Sequence, residues 1–106
     1  MTDDLGERFL VTLDLDGVAD KAAFMERVVR ALDLPYWFGR NWDALADSLT
    51  DDTVWPEPAV ERGLLLVVRG WEEYARACPE EWETAREVFT EAADQMPGLS
   101  VALTLG

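Results

Sequence analysis

"GLLLVVRG", residues 63–70, is aliphatic from Leu64 to Val68 and closed by a glycine at each end. An unbroken apolar run of this length reads as a strand covered on both faces, the pattern of a parallel sheet. It is strand-sized and far too short to cross a bilayer. Two further strands flank it at a distance. "RFLVTLDLDG", 8–17, reads as a strand ending in a turn at Gly17, and "LSVALTL", 99–105, alternates as a closing strand.

The intervening segments are helical. Asp20 is placed to cap a helix whose apolar positions Phe24, Val28, Ala31 and Leu32 recur at helical spacing, and Leu34-Pro35 stops it. A second, short helix runs from about Asn41 to Leu49. "TDDTVWPEP", 50–58, has the composition of a loop. Trp71 to Ala77 supplies a helical turn or two. Pro79 then opens a longer helix with Trp82, Ala85, Val88, Phe89, Ala92 and Met96 on one side, ended by "MPG". Parallel strands need crossover connections of such length. The expected fold is α/β: a small three-stranded parallel β-sheet with three to four α-helices packed against it. The 106 residues make one domain, with residues 1–7 expected to be flexible.

Charge dominates the composition. Twenty-two acidic residues against nine basic ones give a formal net charge of −13. Such a surface repels nucleic acid and anionic lipid, and attracts a basic protein. There is no histidine and a single cysteine, Cys78, so neither a disulfide framework nor a Ser-His or Cys-His pair can be assembled. Cys78 reads as a helix-boundary thiol tucked against the core. The start, "MTDDLGERFL", has acids where a secretion signal needs positive charge, and the expected location is cytoplasmic. No cofactor or metal site is expected, and an enzyme is the minority reading. Its best form is a magnesium-dependent phosphatase using Asp14 and Asp16 of "VTLDLDGV", 11–18. That match is short, and a strand closing into an Asp-Gly turn explains it as well.

The stretch with most to say about function is "LPYWFGRNWDALADSLTD", 34–51. With Asn41 as cap, Trp42, Leu45 and Leu49 share the stripe that faces the core. Asp43, Asp47 and Thr50 lie nearly opposite, with Asp51 beside them. Asp43 belongs in a first helical turn, where the dipole favours an acid. Asp47 has no such reason: aspartate is a poor helix former in mid-helix, and its repulsion with Asp43 costs about 0.2–0.5 kcal/mol. Two carboxylates side by side therefore point to a binding role. In the preceding loop Tyr36, Trp37 and Phe38 stand in a row, too many rings for a short loop to turn inward. Gly39 marks either a positive φ or a close approach by another molecule. Large aromatics beside fixed charges are the material of interface hot spots.

This same stretch resembles the signature of barstar-type ribonuclease inhibitors: leucine-proline, adjacent aromatics, glycine, "NWDAL", a second aspartate and "LT". The apolar strand at 64–68, "VFTEA" at 88–92 and the last strand follow in matching order, so the resemblance covers roughly residues 8–105. It implies a three-stranded parallel sheet with helices, and a cytoplasmic protein that plugs the active site of a small, basic, secreted ribonuclease. The implied contacts are Asp47 in the nuclease's phosphate site, Asp43 flanking it, and Trp37 over the catalytic histidine. Gly39, Asn41, Trp42 and Thr50 line the contact, with Phe38 and Ala46 inside the same patch and Glu91 as an outlying glutamate. The implied assembly is a monomer when free and a 1:1 heterodimer with its target, with no direct contact to nucleic acid or membrane. The best-known member carries tryptophan at the position of Ala46, tyrosine at that of Trp37, and glycine-tryptophan at that of Asp51-Asp52. These departures bear on which nuclease is the target. The alternative kept open is a module of the same fold that binds a different basic protein.

Overall fold

The computed structural model describes residues 8–34, 39 and 41–104. In chain order the elements are β1 (Phe9–Asp14), α1 (Lys21–Leu32), α2 (Trp42–Leu49), a 3-10 turn (Asp52–Val54), α3 (Glu57–Arg62), β2 (Leu64–Arg69), α4 (Trp71–Ala77), α5 (Pro79–Gln95) and β3 (Leu99–Leu103). The strands form one parallel sheet in the order β1-β2-β3, with Phe9 opposite Leu64 and Leu64 opposite Leu99. The expected sheet is therefore present, and its central strand is the aliphatic run.

The buried strand residues, Val11 and Leu13, Leu64, Leu66 and Val68, and Leu99, lie on one face of the sheet. Phe24, Met25 and Val28 of α1, Leu45 and Leu49 of α2, and Trp82, Ala85, Phe89 and Ala92 of α5 complete the core there. The other face is more open than the aliphatic run implies. Leu65 and Val67 are only half-buried, and Leu10 beside them is 55% exposed.

Local chemistry explains the element boundaries. The Asp20 side chain accepts the Ala23 amide at 2.8 Å and starts α1. Asp33, at φ 53°, closes α1 in the left-handed region, with its amide on the Val29 carbonyl. α3 was not expected, because Pro56 and Pro58 read as loop residues. They occupy its cap and first turn, where the missing N–H costs nothing, and Gly63 ends it. Gly70 packs so tightly on the β1 turn that a Cβ there would lie 2.8 Å from the Asp16 amide. With α3 included, five α-helices accompany the sheet among the described residues. Among the described residues no helix is long and apolar enough to cross a membrane.

Aromatic packing ties the helices to one another. Phe24 meets Trp42 at 5.3 Å and stacks on Tyr74 at 5.3 Å, while Trp71 stacks on Trp82 at 5.2 Å and 5°. The Trp71 indole donates to the Thr104 carbonyl at 2.8 Å, fixing α4 to the end of β3. Such rings bring large buried area together with specific geometry.

Candidate functional site

α2 is short, and what holds it decides what it can present. An eight-residue helix is marginal in water, so its stability must come from packing. Leu45 and Leu49 are fully buried, and Ser48 is nearly so. The Trp55 indole, itself buried, donates to the Ser48 carbonyl at 3.1 Å and pins the C-terminal end of the helix. At the other end the Asn41 side chain accepts the Ala44 amide at 2.7 Å, the expected cap, and its Nδ2 donates back to the Gly39 carbonyl at 3.3 Å. Trp42 lies at the core edge between Phe24 and Lys21, whose ammonium stands 5.9 Å from its ring centre. α2 also packs along α5.

On the outer face of this fixed helix Asp43 and Asp47 are both exposed. Among the described residues neither carboxylate forms an ion pair or a hydrogen bond. No described residue engages them, and the helix that carries them is held in place by its own packing. Asn41 is exposed, and Trp42, Ala46 and Thr50 are half-buried around them. The Thr50 hydroxyl donates to the Ala46 carbonyl at 2.8 Å, which leaves its oxygen as an acceptor. Asp51 continues the acidic row. Its Oδ1 accepts the Thr53 hydroxyl at 2.6 Å and the Thr53 amide at 3.0 Å, and these bonds, the hydroxyl's first, hold its carboxyl below the usual range. Glu91 is exposed on α5, the helix that α2 packs along.

Gly39 is closely packed within its own chain. Its φ is not positive. A Cβ there would lie 3.1 Å from Asn41 Nδ2 and 3.3 Å from Ala44 Cβ, so a side chain would press on the cap of α2. Trp37 and Phe38, with Tyr36, lie outside the described residues.

The second acidic pair has a structural occupation. Asp14 Oδ1 accepts the Asp16 amide at 3.0 Å and Oδ2 pairs with Arg69 at 2.8 Å. The Asp16 amide first, and Arg69 after it, hold the Asp14 carboxyl below its usual range. The Asp14 carbonyl accepts Arg27 at 2.7 Å. Asp14 thus ties the β1 turn to the end of β2. Among the described residues no three acidic or cysteine side chains gather in a way that would hold a metal ion. Cys78 is half-buried, its thiol donates to the Ala19 carbonyl at 3.2 Å, and burial, followed by Glu81, pushes its pKa up. That is the reverse of an activated thiol.

A family model described as "Barstar (barnase inhibitor)" matches residues 8–105. No curated protein shows significant similarity to the chain.

Proposed function

The chain belongs to the barstar family, and on that basis we propose that it inhibits a small, basic, secreted microbial ribonuclease by occupying its active site with the acidic face of α2. The observation that carries this reading is the pair Asp43 and Asp47, exposed and without an ion pair or hydrogen bond among the described residues, on a helix whose opposite side is locked into the core.

The mechanism is binding without chemistry. A ribonuclease active site is a cationic cleft preorganised for phosphate. Asp47 takes the place of an RNA phosphate there and accepts charge-assisted hydrogen bonds from arginines and the catalytic histidine, as the family resemblance implies. Asp43, one turn away, meets the flanking cations. Trp37 covers the histidine, and Asn41, Trp42 and Thr50 exclude water around the charges. Glu91 adds an outlying contact from α5. Acting in the cytoplasm as a 1:1 complex, the protein protects the cell that makes the nuclease. Its lack of histidine keeps the binding charge constant across neutral pH.

Ala46 and Asp51-Asp52 distinguish this surface from that of the best-known member. The smaller residue leaves room beside Asp47, and the acid pair lengthens the anionic row. Both features suit a target with a fuller surface and one more cation at that end. The direct test mixes the purified protein with a panel of small secreted microbial ribonucleases and follows RNA cleavage. Stoichiometric loss of cleavage for one of them supports the proposal. If none is inhibited, while capture from the source cell yields a basic protein without nuclease activity, the alternative binding module is the correct reading.

A further inference from the structure

A second surface lies along the free edge of β3. Alternate residues of this strand serve β2: the Gly98 carbonyl accepts the Leu64 amide and the Thr104 amide donates to the Val68 carbonyl. In a parallel ladder the residues between them turn N–H and C=O the other way. Val101 and Leu103 therefore present their backbone groups to an edge that no strand of the described residues covers, since β3 is terminal in the sheet.

The side chains of the same two residues line a groove of about 560 Å³ between β3 and α5, with Phe89 and Ala93 as its other apolar walls. Leu103 is 40% exposed there, one of few large aliphatic residues left open. The rim is acidic. Glu91 and Asp94 border this groove, and Glu83 and Glu87 border the hollow beside it. Among the described residues the one cation on that rim, Arg86, is engaged by Glu83 at 3.3 Å.

We propose that this edge accepts an extended basic segment of a protein partner as a fourth strand. Backbone hydrogen bonds to Val101 and Leu103 would give the attachment, and the groove would take every second side chain. The residues between would carry the positive charge that the rim selects. A second copy of this chain fits poorly, because edge-to-edge docking would bring two sets of these carboxylates together. The site shares Glu91 with the surface proposed for the nuclease but does not depend on Asp43 or Asp47.

The test uses the whole protein and a capped octapeptide of alternating valine and lysine, followed by NMR. Binding should shift the Val101 and Leu103 amides and slow their exchange. A peptide with proline at a central position should bind about tenfold more weakly, because it lacks a ladder donor and disfavours the extended pairing. Asp94→Lys, on an exposed helix face, should lower affinity about three- to fivefold, while Asp47→Ala should leave it unchanged. The proposal is overturned if the proline peptide binds equally well. It is also overturned if the shifts gather on α2 instead, or if sedimentation shows that copies of the chain already occupy this edge.

Discussion

Asp47 costs its own helix stability. Mid-helix aspartate and the repulsion of Asp43 together oppose α2 by up to about 1 kcal/mol, and no hydrogen bond or ion pair within the described chain offsets it. Asp47→Ala should therefore raise the unfolding free energy by about 0.5–1 kcal/mol, read from urea denaturation. A fall in stability would mean that the carboxylate has an intramolecular role after all. Tyr74 shows the opposite design. It is fully buried, its hydroxyl donates to Glu81 at 3.1 Å, and burial first, then the Glu81 carboxylate, push its pKa well above the ordinary value. The folded state thus favours the neutral phenol. Its contribution is whole below the unfolded pKa near 10 and declines as the pH rises beyond that. Tyr74→Phe should cost about 1 kcal/mol at pH 7 and flatten the loss of stability above pH 10. An unchanged alkaline slope would count against this assignment.

At the scale of elements, α2 works because its ends are tied. Asn41→Ala removes the cap on Ala44 and should cost about 1 kcal/mol of stability. Trp55→Phe removes the shorter of the two hydrogen bonds to the Ser48 carbonyl, leaving the Asp51 amide at 3.5 Å, and should cost about 0.5–1.5 kcal/mol, measurable as a lowered denaturation midpoint with an unchanged slope. Much of this was legible in the sequence. The aliphatic run at 64–68, the capping residues Asp20 and Asn41, and Pro79 at a helix start are local signals with local causes. α3 was hidden because a proline that breaks a helix and one that begins it look alike until the following turn is seen. The openness of the second sheet face was hidden for another reason: a central strand flanked on both sides can be apolar without a covering layer. Gly39 is ambiguous in the sequence because a close approach within the chain and one from outside leave the same mark. Asp43 and Asp47 could be placed on one face by spacing. Glu91 came only from the family resemblance, since Glu80, Glu83 and Glu87 are exposed beside it on the same helix.

For the whole molecule, the net charge of −13 acts at a distance that single contacts do not reach. Steering by such a field raises the association rate with a basic partner, and salt removes it. Raising ionic strength from about 0.05 to 0.5 M should slow association by about tenfold or more, with a much smaller change in dissociation. Equal effects on both rates would show that the charge is not guiding the encounter. In the proposed function the scaffold's part is to hold two carboxylates still, and the field's part is to bring them to a cationic cleft.

The central claim is that Asp47 stands in for an RNA phosphate. It is tested most directly by comparing the inhibition constants of wild-type protein and Asp47→Ala against the ribonuclease that the wild type inhibits. Truncating one member of a desolvated charge pair costs roughly 2–5 kcal/mol, a range established in part on a barstar complex. Inhibition should therefore weaken by about thirtyfold or more, while Glu91→Ala changes it far less. Equal inhibition by wild type and Asp47→Ala would contradict the account.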